Sequence, residues 1–156
     1  MSAHAAGRSS SALLTDMYEL TMLQAGLHSG AAHRRSLFEV FGRRLPSGRR
    51  YGVVAGTGRI LSLLADFRFT DAQLLWLEEQ SIVDAATLDY LRDYEFTGTV
   101  RGYAEGEVYF PGSPVLTVEG SFGDAVVLET LILSVLNHDS AVASAASRMT
   151  NAAGGR

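Results

Sequence analysis

Cysteine is absent from the 156-residue chain, which excludes disulfides, thiolate metal sites and a cysteine nucleophile together. Lysine is absent too, so all thirteen positive residues are arginines. The most apolar run, at 125–136, contains Glu129 and is about half the ~20 residues that a membrane-spanning helix needs. The first residues, MSAHAAGRSSS, hold one arginine and no apolar h-region, and so do not read as a secretory signal. These absences lead us to expect a cytoplasmic protein without a membrane partner. What is present is ordinary for a globular chain. A content of 47% hydrophobic and 19% charged residues excludes wholesale disorder, and the length suits one domain.

The net charge of −4 conceals a local imbalance. Seven arginines (Arg34, Arg35, Arg43, Arg44, Arg49, Arg50 and Arg59) fall between residues 34 and 59, where Glu39 is the sole acid. That window carries +6 and the remainder of the chain −10. Guanidinium groups grip phosphate or carboxylate with two parallel hydrogen bonds, so a face of this kind suits an anionic ligand. A solvated arginine-rich loop has the same composition, and both readings stand at this point. Nucleic acid is not expected as a partner, because the acidic remainder would repel a long polyanion.

Along the chain, residues 1–12 are small and polar and predict a mobile tail. A helix is expected from Thr15 or Asp16: Asp16 and Glu19 have capping-box spacing, and Met17, Leu20, Leu23 and Leu27 recur at helical intervals. Gly26 and the pair Ser29-Gly30 mark its end. Residues 36–41 read as a strand, RRLPSGRR at 43–50 as a loop, and YGVVAGTG as a short strand running into a turn before a helix near 59–66. Thr70 with Gln73 forms a second capping-box pair, and Asp84 can cap a further helix to about Tyr94. From Gly98 the valine-, tyrosine- and glycine-rich stretch predicts three short strands in a small sheet or open barrel. After Phe122 comes a helix apolar on nearly all sides, at 126–136, for which the surrounding elements offer little cover. Asn137-His138-Asp139 reads as a bend ahead of the small-residue helix AVASAASRMTNAA, whose alanines and serines allow close backbone approach.

Common catalytic signatures are missing. AGTGRI at 55–60 has Leu61 where G-x-G-x-x-G needs its third glycine, and it lacks a G-K-[ST] ending, so it reads as a close turn. His138 and Asp139 are sequence neighbours and are not expected to form a dyad; a buried histidine bonded at a helix bend is the favoured reading. The four histidines show no metal-ligand spacing, and no serine lies in a nucleophile-elbow context.

Four longer motifs remain, in order: LTDMYELTM at 14–22, FEVFGRRLP at 38–46, EGEVYFPGSPVL at 105–116 and LETLILSVLNHDSAVASAASRM at 128–149. Together they resemble nicotinate phosphoribosyltransferase, a type II phosphoribosyltransferase, from about residue 13 onward. The resemblance implies an α+β fold. A helical and β-rich N-terminal domain would occupy 13–122, with 123–156 as the first helices of an incomplete, truncated α/β barrel. It also implies that the histidine phosphorylated by ATP lies past the equivalent of Gly155, so no catalytic residue is expected within the chain.

Residue by residue, Tyr18 matches the tyrosine that stacks on the pyridine ring of nicotinate, usually from the neighbouring subunit; taken without that match, it reads rather as a core aromatic on an amphipathic helix. Asp16 is expected to be a helix cap. Arg43 and Arg44 match an arginine pair from which a basic residue reaches across the dimer toward the phosphates of phosphoribosyl pyrophosphate, although Arg44 also suits a structural salt bridge. Asn137 and Arg148 are expected to be structural, with Arg148 an outside candidate for the site.

The implied reaction joins nicotinate and phosphoribosyl pyrophosphate into nicotinate mononucleotide and pyrophosphate, coupled to ATP hydrolysis with Mg2+, in the salvage of nicotinate for NAD biosynthesis. The implied assembly is a homodimer. The chain would supply the ring-stacking face and part of an anion clamp, and alone it is expected to be inactive. Two alternatives remain open: a nicotinamide or quinolinate enzyme of the same superfamily, and a non-catalytic fragment or remnant.

Overall fold

Asp16 starts the first helix, as its spacing from Glu19 predicts. In the computed structural model, which describes residues 10–154, α1 spans Met17–Ser29 and stops at Gly30, whose φ of 74° is the left-handed turn glycine accepts at low cost. Gly26 lies inside the helix, where the backbone of Ala32 and the ring of Phe122 approach closely, and does not end it. A 3-10 turn at Ala31–His33 leads into β1 (Arg35–Phe41). There follow β2 (Gly52–Val53), α2 (Thr57–Ala65), α3 (Asp71–Glu79), α4 (Ala85–Arg92), β3 (Thr99–Gly102), β4 (Val108–Tyr109), β5 (Pro114–Ser121), α5 (Phe122–Val126) and α6 (Glu129–Ala153).

The caps behave as their chemistry dictates. Thr70 accepts the Gln73 backbone N–H at 3.3 Å and the Gln73 side chain accepts the Thr70 N–H at 2.9 Å, closing both halves of a capping box on α3. Asp84 accepts the Thr87 N–H at 2.9 Å on α4. At the other pole of α4, Tyr94 donates to the Asp124 carbonyl at 2.6 Å and stacks edge-on against Phe67 and Phe69. These three rings anchor a core shared with Leu23, Ile60, Leu77 and Leu91.

Three expectations need correction. The strands after Gly98 do not share one sheet: β5 lies between β1 and β3, all antiparallel, whereas β4 pairs with β2 in a separate two-stranded ribbon. Residues 137–139 make no bend, and α6 runs through them as one 25-residue helix. Nor does the apolar segment lack cover. Leu131, Ile132, Val135 and Leu136 are buried within this chain, while Leu133 stays exposed.

The small residues of α6 explain how it comes so close to β2. Ser144 accepts the Val53 N–H at 2.8 Å, and Ser140 both accepts from Ala55 N–H at 3.1 Å and donates to its carbonyl at 3.2 Å. Serines spaced by four thus satisfy the open edge of a two-residue strand, as a neighbouring strand would. Of the expected tail, residues 1–9 lie outside the described residues; Ala12 is fully buried and Ser10 donates to the Arg68 carbonyl, so the last part of that segment packs onto the fold. Among the described residues no helix is long and apolar enough to cross a membrane.

Candidate functional site

The loop 42–50 leaves the end of β1 and folds over α6, because Pro46 and Gly48, with φ 78°, turn it back on itself. Between this loop, Tyr109 of β4 and α6 lies a cleft of about 500 Å³. Val40, Tyr109 and Leu136 give it an apolar floor, and Asn137, Ser140 and Ser144 a polar strip along α6. Three arginines line it: Arg44, Arg49 and Arg148.

The three are not equivalent. Arg148 is engaged: its guanidinium lies 5.4 Å from the centre of the Tyr51 ring, donates to the Tyr51 carbonyl at 2.8 Å, and donates to the Ser144 carbonyl. It braces α6 against the chain entering β2, the structural part expected of it. Arg44 and Arg49 are exposed and make no ion pair with any described residue. Arg43 is exposed as well but does not line the cleft.

The arginine window therefore does not form one face. Arg35 pairs with Glu119, which also holds Arg101 at 3.1 Å, and Arg59 pairs with Asp139 at 2.8 Å. Arg34 and Arg35 stand at the opposite end of β1 from the loop arginines, roughly 20 Å away for a strand of this length. What the sequence reads as a single +6 window is dispersed: Arg35 and Arg59 are held in ion pairs at separate places, and the loop arginines Arg43, Arg44, Arg49 and Arg50 lie between them in sequence without an ion pair to any described residue.

Tyr18 sits in the first turn of α1, outside the cleft, with 44% of its surface exposed. It is not a core aromatic. Partial shielding of its phenol, and next the neighbouring Glu129 carboxylate, push its pKa up to about 12. Glu129 opens α6 and, with Leu133 and Val40, lines a smaller hollow of about 140 Å³. Leu133 and Val40 also line the arginine cleft. Glu129, Leu133 and Asn137 recur every four residues, so Tyr18 and the arginine cleft meet the same face of α6, about 12 Å apart along its axis.

AGTGRI is the close turn that its sequence predicts, and it is occupied. The Glu105 carboxylate accepts the backbone N–H of Gly56 at 3.0 Å and of Gly58 at 2.9 Å, together with the Thr57 hydroxyl at 3.0 Å. The Gly58 N–H bond, above all, holds the Glu105 carboxyl below the usual carboxylate range. Gly56 adopts φ 101° there, and any β-carbon would press on Val135 and Asp139. His138 and Asp139 do touch, at 2.8 Å, contrary to expectation; yet His138 is 73% exposed in its side chain, and so is not the buried histidine expected either. Asp139 shares the same oxygen with Arg59, which makes the trio a surface ion-pair network.

Sequence reasoning named Tyr18, Arg43 and Arg44. The structure places Arg44 in the cleft and Tyr18 on the adjoining face, and it adds Arg49. Which arginines find an acid depends on pairings eighty or more residues apart, Arg35 with Glu119 and Arg59 with Asp139, which composition does not carry.

An exposed ring and an unpaired arginine pair beside a cleft define a face suited to a flat, anionic substrate. Residues 13–137 match the family model for the nicotinate phosphoribosyltransferase (NAPRTase) N-terminal domain, and the chain belongs to that family. It is 64% identical over 144 residues to nicotinate phosphoribosyltransferase pncB1 of Mycobacterium tuberculosis, a match that covers 92% of this chain and 32% of that protein. The nicotinate phosphoribosyltransferase of Bacillus subtilis is 32% identical over 142 residues, covering 91% of this chain and 29% of the relative. The crystal structure of human nicotinic acid phosphoribosyltransferase superposes with a TM-score of 0.80 at 34% identity, over 87% of this chain and 28% of that one. The chain thus spans about a third of the length of these relatives.

Proposed function

We propose that this chain is the substrate-facing N-terminal portion of a cytoplasmic nicotinate phosphoribosyltransferase, forming nicotinate mononucleotide and pyrophosphate from nicotinate and phosphoribosyl pyrophosphate with ATP hydrolysis. The observation that carries the reading is the pair of exposed groups set beside α6, Tyr18 near Glu129 at its start and Arg44 along the cleft one to two turns on. The Tyr18 ring would lie against the flat pyridine ring, gaining offset-stacked contact without a charged partner. Arg44, aided by Arg49, would bind phosphate oxygens in paired hydrogen bonds and neutralise the charge that builds on the leaving pyrophosphate. Both would act by holding the ring nitrogen in line with the anomeric carbon, the positioning that a two-substrate displacement needs.

Both groups are presented outward, which suits a homodimer in which this face completes the α/β-barrel site of a partner. Magnesium and ATP belong to the reaction, but among the described residues no group of three acidic or histidine side chains converges to hold a metal. No step through either is therefore assigned to this chain. A second reading is a portion that binds these substrates without turning them over.

A chimera tests both. Residues 13–156 replace the matching third of the Mycobacterium tuberculosis relative, and nicotinate mononucleotide formation is measured beside the 156-residue chain alone. We expect turnover in the chimera within about tenfold of that relative, and none from the chain alone. A folded chimera that fails with nicotinate, or that prefers nicotinamide or quinolinate, would overturn the substrate assignment.

A further inference from the structure

Glu19 spaces correctly as a capping-box partner of Asp16 and closes that box, and the structure also gives it a second use. Its side chain is completely buried, with 0% of the residue exposed. No arginine pairs with it among the described residues; four neutral donors surround it instead. One carboxylate oxygen accepts the Thr130 backbone N–H at 2.8 Å and the Thr130 hydroxyl at 2.6 Å. The other accepts the Thr15 hydroxyl and, at a long 3.4 Å, the Asp16 N–H. One oxygen thus serves the start of α1, through Thr15 and Asp16, and the other the start of α6, through Thr130.

The reason lies at the start of α6. Its N-cap position is Leu128, which has no side-chain oxygen to offer the first free N–H groups. Glu19, from another helix, supplies that oxygen. A buried carboxylate is expensive unless it is fully hydrogen-bonded, and its place between two helix N-termini, both positive ends of helix dipoles, further favours the charge. The result is a staple between the first turn of α1 and the first turn of α6.

Tyr18 precedes Glu19 in the first turn, and Glu129 precedes Thr130 in the second. We propose that Glu19 is the positioning residue for Tyr18: its buried carboxylate locks the two helix starts together and so fixes how the Tyr18 ring is presented to a flat aromatic ligand. The ligand's identity rests on the ring-stacking reading above; the staple itself does not.

The test uses the 156-residue chain with ring-labelled tyrosine. Carbon resonances of the phenols are followed by NMR through an alkaline titration, and Tyr18→Phe assigns the Tyr18 signal. In Glu19→Gln the amide cannot accept at both of its ends. We expect the Tyr18 ring signal to move and broaden, and its titration midpoint to fall from about 12 toward the ordinary phenol value of 10.0, in part because the Glu19 charge itself is removed and in part because the ring shifts relative to Glu129. Tyr90 and Tyr94, held by Asp124 elsewhere in the core, should keep their midpoints. Thr130→Val removes one donor but keeps the Glu19 charge, so a smaller move of Tyr18 in the same direction there reports positioning rather than lost charge, and it keeps the test open if Glu19→Gln does not fold. An unmoved Tyr18 signal in the folded variants would overturn the proposal, as would equal changes in all three tyrosines, the mark of general loosening. Loss of the ring-stacking reading would look different: Tyr18→Ala in the chimera would leave the KM for nicotinate unchanged while the Glu19 variants still moved Tyr18.

Discussion

At the scale of single residues, exposure separates binding from stability. The Tyr18 ring is half in solvent, and surface truncations of this kind stay within roughly 0.5 kcal/mol. Tyr18→Ala is therefore expected to shift the melting temperature of the chain by no more than about 2 °C. In the chimera it should raise the KM for nicotinate at least about tenfold, the scale of one lost aromatic contact. A melting shift that accounts for the whole loss of binding would return Tyr18 to the role of a core aromatic. Glu105 carries the opposite emphasis. Gly58 N–H and its neighbours hold its folded-state carboxyl below the ordinary value of 4.5. The sign follows from proton linkage: above 4.5 its contribution to stability is complete, and it is lost as pH falls through the lowered folded-state pKa. Melting curves of wild type and Glu105→Gln should differ most near neutrality and converge on acidification; a constant gap would place the acid sensitivity elsewhere. The spacing of Glu105 from Gly56 and Gly58, nearly fifty residues, is why no local motif reveals this contact.

At the scale of elements, local chemistry was readable and long-range pairing was not. The starts of α1, α3 and α4 follow from Asp16, Thr70 and Asp84, because a cap involves residues only three apart. The split of the late strands into two sheets depends on β4 meeting β2 across more than fifty residues, and nothing in VY or GV specifies it. The supposed bend at 137–139 shows polarity misread as interruption. Asn137 lines the cleft, His138 is exposed and Asp139 pairs with Arg59, so each polar side chain finds water or a partner around a continuous helix. The density of serine and alanine in α6 did foretell close approach, and the hydrogen bonds of Ser140 and Ser144 supply the reason. Ser144→Ala should leave the Val53 N–H without a partner and destabilise the chain by about 1–3 kcal/mol. Ser144→Val should cost more, since it also forces α6 away from β2. Denaturant unfolding checks both; two neutral results would mean that water replaces the serine hydroxyl and that the packing is loose.

At the scale of the whole molecule, the proposed function turns on which arginine faces the ligand. Sequence offers Arg43 and Arg44 as an undivided pair, since neighbouring residues have the same composition and the same match. The fold separates them. Arg44 lines the cleft with Arg49, on the same face of α6 as Tyr18, and Arg43 does not. A guanidinium facing a cleft can meet phosphate oxygens with two parallel bonds, and its loss from a charge-assisted contact typically costs about 1.5–3 kcal/mol. Arg44→Ala in the chimera is therefore expected to raise the KM for phosphoribosyl pyrophosphate roughly tenfold to a hundredfold. Arg43→Ala should change it by less than about threefold, the range of an exposed charge acting through solvent. Arg44→Lys should recover only part of the loss, because an ammonium keeps the charge but cannot form the paired bonds. Raised salt should weaken binding in the parent more than in Arg44→Ala, as expected for a contact made through charge. If Arg43→Ala proves the more damaging, the loop 42–50 must turn over when the barrel docks against it, and the cleft described for this chain is a resting arrangement of its arginines.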